Sequence, residues 1–231
     1  MQKSDNSLAT RIKRYEETSR FVGTQRMPMI IRVDGKAFHT FTKNCRKPFD
    51  VALIEAMRGS AREVSKEMQG FKAAYVQSDE ATFLLTDYDH LATQGWFGYV
   101  YAKMISISAA SMSVHFNSLY SQYNCNTSRA IFDSRAFNVP IEDVANVFLW
   151  RAKDWQRNSL QMYAQSFFTH KQLHGKNTAN MHNMLHDIGK NWTTCLSDVE
   201  RNGTFISRDG EFVSTVHPVY QEIYQFISEN L

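Results

Sequence analysis

Cysteine and long apolar runs are both scarce in this sequence of 231 residues. The three cysteines, Cys45, Cys125 and Cys195, lie far apart and match no CxxC spacing, which argues against a disulfide framework and a cysteine zinc site. The first twenty residues are polar and charged, without the apolar core of a signal peptide. No uncharged apolar run reaches the roughly 18–20 residues needed to cross a bilayer. We therefore expect a cytoplasmic protein without a membrane segment.

A strong excess of one charge sign is also missing. The chain has 26 Lys and Arg against 23 Asp and Glu, which gives a formal net charge of +3 and a pI near 8.7. This mild excess permits an RNA or nucleotide partner without requiring one, because strong nucleic-acid binders often carry a larger imbalance. An apolar content of 43%, with 16 Phe, allows a sizeable core in one large domain or in a core with an appendage.

Apolar periodicity divides the chain into strands and helices. Short apolar runs predict strands, and apolar stripes at helical spacing predict helices. The predicted elements are a helix over 5–20, a strand over 27–33, a helix over 49–68 capped by Asp50, strands over 71–77 and 81–86, a helix over 96–116, a strand over 130–139 and a helix over 141–168. From residue 27 to residue 139 the order is β-α-β-β-α-β, the ferredoxin-like (split βαβ) order of an α+β fold.

Three acidic residues are the candidate catalytic groups. In the usual split βαβ sheet, strands one and three are antiparallel neighbours, so Asp34 at the end of strand one lies beside Asp79 and Glu80 at the start of strand three. Converging carboxylates suit a pair of Mg²⁺ ions, which take hard oxygen ligands and promote phosphoryl transfer. Gly35 lets the backbone turn closely and offers its carbonyl as a further ligand. On spacing alone, a plain β-turn and a solvated hairpin tip explain these residues equally well.

Three sequence blocks carry a resemblance to a known family: Arg32-Val-Asp-Gly-Lys-Ala-Phe-His39, Lys47-Pro-Phe-Asp50 and Tyr75-Val-Gln-Ser-Asp-Glu80. Together they resemble signature blocks of the tRNA-His guanylyltransferase superfamily, whose members add nucleotides to the 5′ end of tRNA in the 3′-to-5′ direction. The resemblance covers about residues 8–195. It implies a polymerase-palm-type core in residues 1–139, including the N-terminal helix. Residues 140–231 would form a helical and hairpin appendage that packs on this core and contributes to tRNA binding and oligomer contacts.

The resemblance also implies a role for each matching residue. Asp34 and Asp79 would bind the metal ions together with the Gly35 carbonyl, and Glu80 would be the acidic residue beside them. The implied nucleotide-binding residues are Lys36, Ala37, Phe38, His39, Lys47, Asp50, Ser78 and Lys103. The implied contacts with tRNA or its 5′ phosphate are Arg32, Arg151, Lys153, Arg157, Asn158 and Lys176.

Lys103 has additional support from the sequence itself, because it is the only Lys, Arg, Asp or Glu between Asp89 and Arg129. Burying a lone cation on an apolar helix is costly unless an anion meets it, and a triphosphate would be such an anion. The alternative is a lysine that reaches solvent from a partly exposed helix.

One block departs from the pattern of the eukaryotic enzymes. Where they have a HINN-type sequence, this chain has Gln156-Arg157-Asn158-Ser159. The missing histidine is typical of the Thg-like branch found in bacteria, archaea and phages, which resembles 5′-end repair polymerases. The segment 150–176 interleaves cations with aromatic residues, which suits RNA contact as well as an ordinary amphipathic helix with an aromatic core face.

The activity implied by the resemblance is template-directed addition of nucleotides to the 5′ end of truncated tRNA after ATP-dependent 5′-adenylylation. It would require two Mg²⁺ ions per site, use ATP and GTP or other nucleoside triphosphates, and be carried out by a homotetramer. Addition of G at position −1 of tRNA-His is the alternative reaction. A nucleotide cyclase would need a GG[DE]EF-like hairpin, which Gln77-Ser78-Asp79-Glu80 matches poorly. A non-catalytic RNA-binding module of the same fold would expose aromatic residues on its central strands.

Overall fold

The computed structural model describes residues 7–122 and 129–231. Cys125 and the first two residues of the predicted N-terminal helix lie outside these ranges. The main elements, in chain order, are α1 (Leu8–Glu17), β1 (Met29–Gly35), α2 (Phe38–Phe41), α3 (Val51–Glu67), β2 (Phe71–Gln77), β3 (Glu80–Leu85), α4 (Tyr101–Tyr120), β4 (Phe132–Asn138), α5 (Ile141–Gln165), α6 (His170–Leu173), α7 (Thr178–Asp187), α8 (Trp192–Cys195), α9 (Asp198–Asn202), β5 (Thr204–Ile206), β6 (Phe212–Val213) and α10 (Tyr220–Asn230). Within the described ranges, no helix has the length and apolar character that crossing a membrane requires.

The strands form one antiparallel sheet in the order β4-β1-β3-β2-β5-β6. β1 lies between β3 and β4, and its register places Asp34 opposite Glu80 on one side and opposite Asp133 on the other. The predicted pairing of strands one and three is therefore confirmed, and with it the ferredoxin-like α+β fold.

Helices cover both faces of the sheet. One face is buried under α3 and α4 through residues that include Met57, Val64, Met104, Met112 and Phe116. The other face is buried under α5 and α10 through residues that include Val144, Phe148, Ile223 and Ile227. Because successive strand residues point to opposite faces, Arg32 and Asp34 face the α5 side, together with the buried Ile30.

Several predicted element boundaries are wrong by a few residues, and two of them have a clear local cause. The helix expected from Trp96 begins at Tyr101, because Phe97, Gly98 and Tyr99 have positive φ values of 51°, 59° and 59°. A right-handed helix cannot continue through residues in that conformation. The hairpin between β2 and β3 turns on Ser78 and Asp79 alone, and the next residue already belongs to β3.

The chain after residue 139 continues the same sheet. The hairpin predicted within residues 140–231 is β5–β6. β5 pairs with β2 near the end of the sheet that carries Asp34 and Asp79. Beyond that end, the C-terminal half of α5 packs with the shorter helices through Leu160, Tyr163, Leu173, Leu185 and Trp192. The division into a core of residues 1–139 and an appendage of residues 140–231 stays a prediction.

Candidate active site

Two carboxylates meet at one end of the sheet. Asp34 lies near the end of β1, and Asp79 occupies the β2–β3 turn, where its carbonyl accepts a hydrogen bond of 3.0 Å from the Gly35 amide. Burial, followed by the charge of Asp34, raises the pKa of Asp79 to about 6. Burial, followed by the charges of Glu80 and Asp133, also raises the pKa of Asp34. Arg135, at 3.9 Å from Asp34, and Arg32 compensate this negative charge only in part, so a further cation would be favourable beside the pair.

The oxygen atoms at this position fit a magnesium ion that arrives with a nucleotide. Asp34, Asp79 and the Gly35 carbonyl offer hard oxygen ligands, as Mg²⁺ requires. In the part of the chain that the structure describes, no three His, Cys, Asp or Glu side chains are grouped so that they could hold a metal. The protein thus supplies only part of an octahedral shell, and Mg²⁺ commonly completes such a shell with substrate phosphates and water.

Glu80 lies beside the two aspartates, but an arginine already compensates its charge. Nε and Nη2 of Arg151 donate to its two carboxylate oxygens at 2.6 and 2.7 Å, and the Glu80 and Arg151 side chains are only 8% and 11% exposed. Arg151 also lies 3.4 Å from Asp154. Arg151, which was predicted to contact RNA, is therefore not a free surface cation, because the bidentate ion pair with Glu80 holds its guanidinium against the end of the sheet.

A cavity of about 480 Å³ opens beside Asp34 and Asp79. Its lining contains many of the predicted nucleotide-binding residues, namely Ala37, Phe38, His39, Lys47, Asp50 and Ser78. Apolar side chains from α3, α5 and the loop before α3 also line it, including Phe49, Leu53, Ile54, Met57, Trp155 and Met162. A cavity of this size, with both polar groups and apolar side chains in its lining, suits a nucleotide.

The loop after β1 owes its shape to a glycine and a left-handed alanine. A Cβ atom at Gly35 would lie 2.2 Å from the ring of Phe38, and Ala37 has a φ of 52°. The Phe38 ring is buried and packs against Phe116 and Phe132. This ring therefore holds the loop on the core, and the role of Phe38 in nucleotide binding stays a prediction.

Hydrogen bonds fix the loop that forms the rim of the cavity. The Asp50 carboxylate accepts from the Leu53 amide at 3.2 Å and from the Arg46 amide at 3.0 Å, so it caps α3, as predicted, and also holds the preceding loop. Nζ of Lys47 donates to the carbonyl of Thr42 at 3.2 Å. Both predicted nucleotide-binding side chains thus have structural partners of their own.

A second cavity, of about 410 Å³, lies on the other side of the carboxylate pair. The two cavities share Asp34, Gln77, Ser78, Asp79, Trp155 and Met162. The second cavity adds polar side chains from β3 and α5, which are Glu80, Arg151, Asn158, Gln161 and Gln165. One carboxylate pair therefore faces two spaces, each large enough for a substrate group.

Six predicted site residues line neither cavity: Arg32, Lys153 and Arg157, which are described below, and three further lysines. Lys36, Lys103 and Lys176 are all exposed. Lys103 lies near the start of α4. The Tyr101 hydroxyl there donates to Oδ1 of Asn138, which pairs with Met29 at the start of β1, so this part of α4 lies at the end of the sheet opposite to Asp34. The burial argument for Lys103 is wrong: α4 buries Met104, Met112 and Phe116 and turns Lys103 to solvent, as it does Ile107 and Val114.

The remaining predicted RNA contacts lie on or near α5. Lys153 and Arg157 are exposed, Asn158 lines the second cavity, and the Arg32 guanidinium lies over the ring of Trp150. The side chain of Gln156 is turned away from both cavities. Its Nε2 donates to Oδ1 of Asn202 at 3.0 Å.

The sequence analysis missed the contribution of β5 to the site. Gly203 and Thr204 line the larger cavity, and Gly203 has a φ of 75°. A Cβ atom there would lie 2.7 Å from the Tyr75 hydroxyl and from the Val76 carbonyl. A glycine before a short apolar run is the only signal in the sequence, and it does not reveal which strand the run joins.

Comparison with known proteins connects this site to one family. The sequence model for tRNA(His) guanylyltransferase matches residues 9–140. The tRNA(His) guanylyltransferase of Debaryomyces hansenii is 27% identical over 205 residues, which cover 80% of this chain and 74% of that protein. An uncharacterized protein of Acanthamoeba polyphaga mimivirus is 29% identical over 185 residues, covering 70% of this chain and 63% of the viral protein.

Solved structures give the same connection. A bacterial tRNA(His) guanylyltransferase (Thg1)-like protein in complex with ATP is 37% identical, with a TM-score of 0.89, over 94% of this chain and 100% of that chain. A bacterial protein of the same description in complex with GTP is 36% identical, with a TM-score of 0.76, over 87% of this chain and 85% of that one. The enzyme of Saccharomyces cerevisiae, at 20% identity and a TM-score of 0.73, shares the fold.

Proposed function

The chain belongs to the tRNA(His) guanylyltransferase family of nucleotidyltransferases, with likeness to its bacterial Thg1-like branch, and on that premise we propose that it extends the 5′ end of truncated tRNA. The addition would be template-directed and would follow ATP-dependent adenylylation of the 5′ end. The main support is the pair Asp34 and Asp79, which lies between a nucleotide-sized cavity and a second polar cavity. The complexes of the bacterial relatives with ATP and with GTP support the nucleotide class.

The proposed reaction has two transfers that balance without an outside oxidant or reductant. First, an oxygen of the tRNA 5′ monophosphate attacks the α-phosphorus of ATP, forming a P–O–P link and releasing pyrophosphate. Then the 3′-hydroxyl of an incoming nucleoside triphosphate loses its proton and attacks the activated 5′ phosphate, and AMP leaves. ATP would occupy the larger cavity, and the group that reacts with it would approach through the second.

The chain's own residues position these groups. Asp34, Asp79 and the Gly35 carbonyl would hold two Mg²⁺ ions, which, when bound, neutralise phosphate charge and polarise the reacting oxygens. His39 and Lys47, which line the larger cavity, would contact the triphosphate, and so would Ser78 from the β2–β3 turn. Lys36 is exposed outside the cavity and would reach the triphosphate only after a change in its side-chain conformation. Glu80 would hold Arg151, so that α5 closes the second cavity at a fixed distance from the aspartates.

We prefer 5′-end repair to the alternative addition of G at position −1 because Gln156 stands where the resemblance places the histidine of the eukaryotic HINN-type sequence. In this chain its amide is bonded to Asn202 and lines neither cavity. We further propose a cytoplasmic location and a homotetramer, with residues 140–231 contributing to tRNA binding and to contacts between subunits.

Incubation with a defined RNA tests the proposed function. A tRNA with a truncated 5′ end and a 5′ monophosphate is mixed with Mg²⁺, ATP and one labelled nucleoside triphosphate at a time. We expect extension only with the nucleotide that matches the template, no extension with Asp79→Ala, and wild-type extension with Asp209→Ala, which removes an exposed carboxylate from the β5–β6 turn. Binding of tRNA without extension under every nucleotide condition would contradict the proposal.

A further inference from the structure

The exposed ring of Trp150 takes no part in the chemistry proposed above. The chain has four tryptophans, all within the described residues; Trp96, Trp155 and Trp192 are 4–9% exposed, whereas Trp150 is 57% exposed. α5 turns Phe148, Ala152 and Trp155 inward, and Trp150 lies off that buried stripe. Core packing therefore does not explain why the largest apolar side chain occupies a solvent-facing position of this helix.

Two arginines from different elements hold the ring in place. The guanidinium carbon of Arg151 lies 4.6 Å from the ring centroid, and that of Arg32, on β1, lies 5.5 Å from it. Arg151 is itself fixed by its two hydrogen bonds to Glu80. Cation–π contacts of this kind orient an aromatic ring, and here they leave more than half of it open to solvent.

This ring lies next to the reacting carboxylates. Arg32 precedes Asp34 by two residues on the same face of β1, a separation of about 7 Å along a strand. Arg151, the other arginine that contacts the ring, donates hydrogen bonds to Glu80, which lies directly opposite Asp34 in the sheet. Through these two arginines, the open ring of Trp150 is connected to the end of the sheet that carries Asp34 and Glu80.

Cations continue from the ring along the same side of α5. Lys153 and Arg157 follow Trp150 by three and seven residues, a spacing that places all three side chains on one side of a helix. Both cations are exposed, and Arg157 is paired with Asp154. An aromatic ring followed by exposed cations is the arrangement that single-stranded nucleic acid recognises, with a base on the ring and phosphates along the cations.

We propose that Trp150 is a stacking platform for an unpaired nucleobase of the RNA beside the 5′ end that is being extended. The inference rests on the proposed function for the identity of the RNA, and it adds the residue that orients the end of that RNA. Because every base has a flat π face, a platform of this kind is indifferent to sequence. Such indifference suits an enzyme that must accept whichever nucleotide the template specifies.

Tryptophan fluorescence provides a direct test, since Trp150 is the one tryptophan open to a soluble quencher. Acrylamide quenching is measured on the full chain alone, with ATP and Mg²⁺, and with 5′-truncated, 5′-monophosphorylated tRNA. We expect the tRNA to reduce quenching strongly and ATP to leave it unchanged, because the ring lines neither cavity. Trp150→Phe should abolish the accessible component, which assigns the signal to this residue.

Binding of the same tRNA to variants supplies the second measurement. Trp150→Leu keeps an apolar side chain but removes the π face, and we expect its Kd for the tRNA to rise roughly 5- to 100-fold. Trp150→Phe should stay within about threefold of wild type. Tyr15→Leu, which removes an aromatic ring of 65% exposure from α1, outside the residues proposed to contact tRNA, is the matched control and should bind tRNA like wild type.

Three results would overturn the inference. One is wild-type tRNA affinity in Trp150→Leu together with unchanged acrylamide quenching on tRNA addition. Another is protection of the ring by ATP alone, which would place it in the nucleotide site. The third is a ring already shielded in the free protein, with shielding that rises with protein concentration, because a second copy would then cover it. Failure of the proposed function looks different: tRNA would shield Trp150, but its 5′ end would not be extended.

Discussion

Replacement of Asp79 by asparagine isolates the electrostatic consequence of the carboxylate pair. The asparagine amide has nearly the same shape and an oxygen that can keep a hydrogen bond, but it carries no charge. In the metal-free protein the Asp79 carboxylate is disfavoured first by burial and then by the charge of Asp34, which raises its pKa from 3.8 to about 6. We therefore expect Asp79→Asn to stabilise the metal-free protein while abolishing 5′-end extension.

The pKa gives the size and the sign of this effect. A rise from 3.8 to about 6 corresponds to at most about 3 kcal/mol of destabilisation of the charged form, and partial exposure of the side chain reduces this to about 1–2 kcal/mol. Because the folded pKa lies above the unfolded one, the folded protein binds the extra proton between about pH 4 and pH 6. Metal-free wild type should thus lose stability as the pH rises through this window, and the loss is complete at higher pH.

Urea unfolding in EDTA is the assay, at pH 8 and at pH 4.5. At pH 8 the variant should be more stable than wild type by about 1–2 kcal/mol, and the difference should shrink at pH 4.5, where the wild-type carboxyl takes up a proton. Asp209→Asn, at an exposed position, should match wild type at both pH values. A variant that is less stable than wild type at pH 8 would refute the reasoning, because it would mean that the charge of Asp79 stabilises the fold.

Three other substitutions test the packing and the ion pairs. Gly35→Ala places a methyl group 2.2 Å from the nearest ring carbon, so it should lower the free energy of unfolding by about 1–3 kcal/mol, measured in urea; wild-type stability would contradict the described loop. Arg151→Met removes the arginine that neutralises the buried Glu80, to which the uncharged Thr82 hydroxyl still donates at 3.4 Å, and should lose about 3 kcal/mol, part of which Glu80→Gln in the same chain should restore. Asp89→Asn leaves the buried Lys72 without its counter-charge and should lower the free energy of unfolding by a similar amount. Because this ion pair holds the pKa of Asp89 below its ordinary value, the stability of the wild type should also fall when the pH drops through and below 4. A stability that does not change in this acid range would contradict the ion pair.

The convergence of Asp34 and Asp79 could be predicted from the sequence because it depends on topology alone. The order β-α-β-β-α-β makes strands one and three neighbours, and an antiparallel pair brings the end of one strand to the start of the other. That inference needed element types and approximate boundaries, both of which apolar periodicity supplies. An error of one or two residues in a strand end does not separate two side chains that share one edge of the sheet.

Contacts between distant side chains could not be predicted in the same way. Glu80 and Arg151 are 71 residues apart, and only the packing of α5 against the sheet places the guanidinium on both carboxylate oxygens. β5 has three residues, too few to show a strand period, although it forms a wall of the larger cavity. Lys103 shows the opposite error, since a charge that is isolated in sequence need not be isolated from water.

The three candidate catalytic carboxylates, Asp34, Asp79 and Glu80, divide into two kinds, and the division has a functional consequence. Arg151 neutralises the charge of Glu80, so Glu80 presents no net charge to a ligand, and the ion pair holds α5 against the sheet. Asp34 and Asp79 share no such partner of comparable strength: Arg135 approaches Asp34 only to 3.9 Å, and it is itself bonded to Asp133. A fold that neutralises one carboxylate with a buried arginine and leaves its two neighbours repelling each other is less stable when empty than it could be. That instability is the physical reason why a divalent cation should bind between the two aspartates, and why removing either charge should stabilise the empty protein and end its activity.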